Sequence, residues 1–470
     1  MSKYKTLAFN TILIGAGGFV SGGVGFFLLR FYTKYLSAES IGVFDLINNL
    51  VILLVPIVTL SVVDAVVRFC LEKKAERSSY FSVGVFVTGA GFLLMLLLYP
   101  LFSQVDFIKG NTAAFYLLFL TSALRTLFTQ PLRAMDKVKL YTINEFVTAF
   151  SIVICGVLFI YVLDMGLTGY LYSFVVSYAL SVLFVLIAGR LYRYVRVKDC
   201  RKNTFNEMLR YSAPLTPNAV SWWATNLLNR YILLALCGGA IQGLFSVAGR
   251  LPMLVTIVAN LVMQAWQISA ISEYASEDRQ LFFSRIYQIL VSLVVCACSF
   301  VLTNLMFIAG FLFKDASFSA WKYAPFLLLG AVFNCFAAFL GTIYLSEKRT
   351  KMNLITTIIG AAISIILCWI LIPIFTKIDQ SYGGLAAGIS NIAGFGAIFI
   401  FRAFHSKKYV HLKINYPVFA LSIAVLFLHC FVLLGGFKNS FFINLLLSTA
   451  LLIINGYILA MMWLKRKPRA

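Results

Sequence analysis

A membrane-spanning helix needs about 20 apolar residues, and this chain of 470 residues supplies such runs fourteen times in succession. They cover 8–33, 41–70, 80–102, 113–135, 142–163, 170–191, 212–236, 244–271, 281–311, 323–345, 352–375, 382–403, 416–435 and 440–464. Lipid offers nothing to bond to a bare backbone, so each run must satisfy its own N–H and C=O groups as a helix. The fold class that follows is an all-α integral membrane protein of about 14 transmembrane helices. Composition agrees: 61% of the residues are hydrophobic and 12% charged, too little polar surface for a soluble domain of this size. The first run, Leu7 to Leu29, is long enough to span and precedes no cleavage site, so it reads as a membrane helix rather than a removed leader.

The net charge of +22 could suggest nucleic acid as a partner. Its placement argues otherwise, because the basic residues sit in short clusters between spans and form no basic domain. Counted by alternate connections, 28 Lys and Arg fall on one side and six on the other, with five arginines inside spans. The richer side includes 193–210 and the tail 465–470. The positive side of a multi-pass protein faces the cytoplasm, which puts both termini there. The nine cysteines and three histidines have no metal-ligand spacing, so neither a metal nor a cofactor is expected.

A repeat organises the spans. Arg30 and Arg230 lie 200 residues apart, and Gly42 and Gly243 lie 201 apart. Each arginine is followed by a short turn, a glycine and a phenylalanine. A long repeat with a buried cation and helix breakers near its start fits a two-lobed transporter. The expected organisation is a six-helix lobe at 1–192, a basic cytoplasmic linker at 193–210 and a second six-helix lobe at 211–404. An appended helix pair at 415–464 and the basic tail 465–470 complete it.

Charges inside a bilayer cost about 2.5–3.5 kcal/mol each on insertion scales and need a reason. Arg30, Arg230 and Arg250 lie in the outer thirds of their spans, where they can reach the headgroups or face a cavity. Arg125 is nearer the middle, which calls for a hydrated cavity or a fixed partner. Asp45 is the acid expected to pair with one of these arginines, and Glu145 reads as interfacial. Asp64 and Arg68 stand four apart, side by side on a helix, as a charge pair or coupling site; Arg68 can also snorkel. Arginines sharing a cavity would favour anions, since the guanidinium fork holds phosphate and keeps its charge. Asn226 suits sugar hydroxyls or interhelical packing, and Trp222 and Trp223 either stack on a sugar ring or pack.

Nothing in the chain supports catalysis. It has no phosphate-binding loop of a soluble ATPase, and no external loop large enough for a membrane glycan polymerase or ligase. The segments TLAFNTILIGAGGF, LSAESIGVFDL, PLTPNAVSWWATNLLNRYIL, GLFSVAGRLPMLV, QAWQISAISE, GTIYLSEKRTK and GGLAAGISNIAG resemble the polysaccharide-repeat-unit flippases. These belong to the multidrug/oligosaccharidyl-lipid/polysaccharide exporter superfamily. The resemblance runs from about Thr6 to Arg402. It implies alternating-access transfer of a polyprenyl-diphosphate-linked oligosaccharide to the outer leaflet of a bacterial cytoplasmic membrane for cell-surface polysaccharide, beside glycosyltransferases and a polymerase of the same pathway. The appended helices would then offer a groove to the polyprenyl tail. Asn229 stands where relatives often carry an aspartate, which puts an ion-coupling role there in doubt. A peptidoglycan-precursor flippase is a near alternative. A drug/cation antiporter of the superfamily fits less well, having twelve spans and an acidic cavity as a rule.

Overall fold

The computed structural model describes residues 28–70, 76–135, 137–273, 279–346, 350–413 and 415–464. They are almost wholly helical, with no strand among the described residues, as a backbone surrounded by lipid requires. Twelve helices among them are long and apolar enough to cross a membrane. The expected fourteen differ at two places. Most of the run 8–33 lies outside the described residues, and in the run 212–236, which forms the helix Thr216–Cys237, the apolar stretch with fully described side chains is Leu227–Cys237. The chain divides into two compact units, Met1–Leu227 and Leu228–Ala470. The arrangement into lobes on either side of 193–210 remains a proposal.

In the first unit, α1 (28–35) leads through Ser37 into α2 (Ala38–Val58). The Ser37 hydroxyl accepts the Ser40 N–H at 3.1 Å, satisfying one of the donors that a helix start leaves orphaned. The expected unbroken run 41–70 is in fact two helices, α2 and α3 (Val62–Cys70). Pro56 lies in the last turn of α2, and the Thr59 hydroxyl bonds back to Val55 O at 2.7 Å. Leu60 and Ser61 then take positive φ values of 49° and 52°, which end the helix.

Next come α4 (Arg77–Leu97), α5 (Thr112–Thr129), α6 (Val138–Gly156, continued by a π turn to Val162) and α7 (Gly166–Ala188). The segment 193–210 is more than a tether. It ends in α8 (Lys202–Ser212), with Met208 and Ser212 buried. Asp199 O accepts from the Ser79 hydroxyl at 2.8 Å, and the Arg196 N–H donates to Ser82 Oγ at 2.8 Å. Ser78 also donates to the Asp199 carboxylate.

Helix α9 (Thr216–Cys237) carries the chain into the second unit. The turn that follows has φ +82° at Gly238, a conformation that glycine adopts without penalty. The expected run 244–271 is again two helices, α10 (Gly239–Ala248) and α11 (Pro252–Glu273). They part at Gly249–Leu251 because Pro252 has no N–H to continue the ladder and starts a new helix instead.

The remaining long helices are α12 (Arg279–Thr303), α13 (Ala324–Ser346), α14 (Thr350–Thr376), α15 (Tyr382–His405), α16 (Tyr416–Leu434) and α17 (Ser440–Leu464), and a short helix at Leu305–Leu312 after α12 divides the expected run 281–311 as well. Helices α14 and α15 touch backbone to backbone. A Cβ at Gly394 would lie 2.9 Å from Gly360 O, and one at Gly360 would lie 2.8 Å from Gly394 O. Small residues permit such contact in lipid, where the packing itself is the attraction. The glycines of the first run, Gly15 to Gly25, lie outside the described residues.

Candidate functional site

Arg125 sits four residues before the end of α5 at Thr129, and Glu145 seven residues after α6 begins. Two antiparallel helices joined by a short turn therefore hold them at similar depth. Arg125 Nη2 donates to both Glu145 oxygens, at 2.8 and 2.9 Å. The guanidinium also lies over the Tyr178 ring of α7, 5.1 Å from its centroid, an attraction that grows when the cation is desolvated. Arg125 Nε is buried with no acceptor among the described residues. Of the two explanations left open for this cation, the fixed partner is present, and the partner is Glu145. Glu145, expected at the interface, is in addition the ion-pair partner of this arginine.

Asp45 is 4% exposed on α2, with Asn49 Nδ2 3.5 Å from its carboxylate one turn away. Asn49 O accepts the indole N–H of Trp223 at 2.7 Å. Trp223 is thus buried and ties the start of α9 to α2. The side chains of Trp222 and Asn226 lie outside the described residues. Arg30 is partly buried on α1. Asp64 and Arg68 fall on the same side of α3 and are both exposed.

In the second unit, Arg230 and Arg250 come together at the α10–α11 break. A Cβ at Gly249 would lie 3.2 Å from Arg230 Nη2, so this guanidinium reaches the residue next to Arg250. Both side chains are partly buried, and their like charges act on each other. Asn229, one residue before Arg230, is 4% exposed and donates to Ser364 Oγ of α14 at 2.8 Å. Its Oδ1 is buried and unpartnered among the described residues. The geometry therefore groups Arg230, Arg250 and Asn229 in one unit, and Arg30, Arg125, Asp45, Asp64, Arg68 and Trp223 in the other.

A family model described as "Polysaccharide biosynthesis protein" matches residues 7–274, more than half of the chain. The chain belongs to this family. Among solved structures, an inward-facing multidrug resistance MATE family transporter of the MOP superfamily superposes with a TM-score of 0.66 at 14% identity, covering 87% of this chain and 99% of that one. The lipid II flippase MurJ in an inward closed conformation gives 0.65 at 17% identity, covering 97% and 100%. A MOP superfamily transporter from Pyrococcus furiosus, with a binding pocket of reversed polarity, gives 0.57 at 14% identity over 86% and 96%. No curated protein sequence matches. The protein is a multi-pass membrane protein of the polysaccharide biosynthesis family, with the fold of MOP-superfamily transporters and flippases.

Several polar groups of this family member escape a reading by sequence. Arg402 looks like a headgroup lysine or arginine at the end of its span, yet it is 6% exposed. Its guanidinium donates to Ala337 O at 2.7 Å, Asn353 O at 3.2 Å and the hydroxyls of Thr356 and Thr357 at 3.0 and 2.9 Å. It therefore ties α15 to α13 and α14. His429 of α16 is fully buried, with Nδ1 2.8 Å from Asn444 Oδ1 of α17 and Nε2 2.9 Å from Ser299 Oγ of α12. The aromatic stripe of α7, Tyr170, Phe174 and Tyr178 at spacing four, leads from Phe44 (3.8 Å, stacked on Tyr170) to Arg125. The spacing of four is a pattern that the sequence itself displays.

Proposed function

We infer that the protein moves a polyprenyl-diphosphate-linked oligosaccharide repeat unit from the cytoplasmic to the outer leaflet by alternating access of two lobes, for cell-surface polysaccharide synthesis. The observation that carries this reading is the pair Arg230 and Arg250, gathered at one helix break in a chain of the polysaccharide biosynthesis family. Two guanidinium groups at one helix break of a lipid-embedded unit put positive potential there, which favours an anion over a cation. A diphosphate between lipid and sugar is such an anion, and a cationic drug is not. Arg30 would be the matching cation of the first unit. Arg125, already neutralised by Glu145, would be a weaker substrate contact, and Asp45, Asp64 and Arg68 would set the charge balance around it. Trp222 and Asn226 would meet the sugars. Membrane lipids, glycosyltransferases and a glycan polymerase of the same pathway would be its partners, with both termini in the cytoplasm.

The test is the arrival of lipid-linked glycan on the outer leaflet of cells that do or do not make the protein. Unchanged arrival in its absence would refute the reading. A second reading, transfer of the peptidoglycan precursor, is favoured by the likeness to the lipid II flippase MurJ over 97% of this chain. Rescue of cells depleted of their own lipid II flippase would select it over the first.

A further inference from the structure

Beside the α15–α16 connection lies a cavity of about 230 Å³ walled by Leu340, Phe399, Phe404, Val410 and Phe419. Its mouth is charged. Lys407 Nζ stands 5.1 Å from the Phe404 ring centroid and 5.8 Å from that of Tyr416, held between two aromatic faces where a helix end meets the headgroup level. Tyr287 of α12 lines the same cavity at 1% exposure, and its hydroxyl is a buried donor with no acceptor among the described residues. An unpaired buried O–H is costly and calls for a partner.

We propose that this cavity is a site for one anionic diacyl phospholipid. An acyl chain fills the apolar body, the phosphate meets Lys407, and an ester carbonyl accepts the Tyr287 hydroxyl. The carbonyl decides between lipid classes. A polyprenyl diphosphate has charge and an apolar tail but no acceptor at the depth of Tyr287, whereas every glycerol ester has one. The cationic mouth in turn selects anionic over zwitterionic headgroups. The site stands apart from Arg230 and Arg250 and does not rest on what the protein transports.

The experiment is native mass spectrometry of the delipidated full-length protein with dioleoyl-phosphatidylglycerol or dioleoyl-phosphatidylcholine. The anionic phosphatidylglycerol should bind about fivefold tighter, the effect of one lysine near an anionic group. Lys407→Gln should erase this preference and leave choline-lipid binding unchanged. Tyr287→Phe should weaken both lipids while keeping the preference, and Ala403→Trp, which fills the cavity, should remove the saturable site while Lys407 stays in place. Equal affinity for the two lipids in the wild type, a preference that survives Lys407→Gln, or saturable binding that survives Ala403→Trp would overturn the proposal. So would displacement of phosphatidylglycerol by farnesyl diphosphate at equal concentration, which would give the cavity to an isoprenoid, or by inorganic phosphate, which would leave the acyl chain without a role.

Discussion

Arg125 and Glu145, twenty residues apart on neighbouring helices, form a two-pronged ion pair at 2.8 and 2.9 Å with the Tyr178 ring against the cation. Their side chains are 18% and 14% exposed, so neither charge has much water to fall back on. Such a pair adds little over apolar residues of the same size, yet breaking it on one side leaves a stranded charge.

This asymmetry gives a prediction. Arg125→Gln and Glu145→Gln should each lower stability by about 1–3 kcal/mol, reduced from the fully buried value by the residual exposure. The double variant should recover most of the loss. Thermal unfolding of the purified protein in detergent, read as a double-mutant cycle, measures the coupling. Additive losses would mean that the two side chains do not act as a pair.

The helices were legible because lipid leaves a long apolar run no other structure to adopt. Their breaks were less so. Pro252 marks the second helix break where it stands, but Pro56 announces a break that falls at Leu60 and Ser61, fixed by the Thr59 hydroxyl and two positive φ values. Pairings across helices left no local trace. Nothing in the sequence near Arg125 points to residue 145, and Arg402 at a span end looks like any headgroup cation until three helices close around it. Among the candidate site residues, spacing suggested that Asp64 and Arg68 share a face, because that is set within one helix. The meeting of Arg230 with Gly249 depends on how two helices and a break pack, which spacing alone does not encode.

The appended helices are held by polar chemistry as well as packing. Asn444 Oδ1 can only accept, so with this amide orientation His429 Nδ1 carries the proton and Nε2 accepts from Ser299. Ser299 is in turn 2.9 Å from Ser448. Replacing His429 with Leu removes two interhelical bonds, and at membrane values this should cost about 1–2 kcal/mol. Asn444 Oδ1 loses its donor, and Ser299 keeps only its bond to Ser448. The expected readout is a lower unfolding temperature and faster proteolysis at the Gly435–Lys438 turn. An unchanged unfolding temperature would mean that the network contributes nothing to docking of α16 and α17.

The charge asymmetry predicts which residues are accessible from outside. In an otherwise cysteine-free protein in intact cells, a membrane-impermeant thiol reagent should modify Lys438→Cys, in an exposed turn on the sparsely charged side. It should spare the native Cys200 of the basic segment until the cells are opened. Ready labelling of Cys200 from outside would invert the topology, and with it the direction of transfer.

The last prediction joins Arg230 and Arg250 to the energy of transport. If the headgroup is a diphosphate, export carries negative charge out of a negative interior, and each elementary charge crossing the full field gains about 2.3 kcal/mol per 100 mV. The arginines return with the protein, so over a closed cycle they add no net charge movement. While substrate is bound they cancel part of its charge and reduce the drive on that step. Removing one cation should therefore weaken capture of the headgroup more than it alters the drive. Arg230→Gln and Arg250→Gln should each reduce outer-leaflet lipid-linked glycan by about tenfold, the loss of one charge-assisted phosphate contact, with protein levels maintained. Lysine at either position should restore only part, because it offers a point charge without the planar fork. Measuring the same appearance with the membrane potential collapsed separates the two claims. Undiminished transfer by the double Gln variant would remove these arginines from the substrate site, and transfer indifferent to the potential would remove the electrical drive alone.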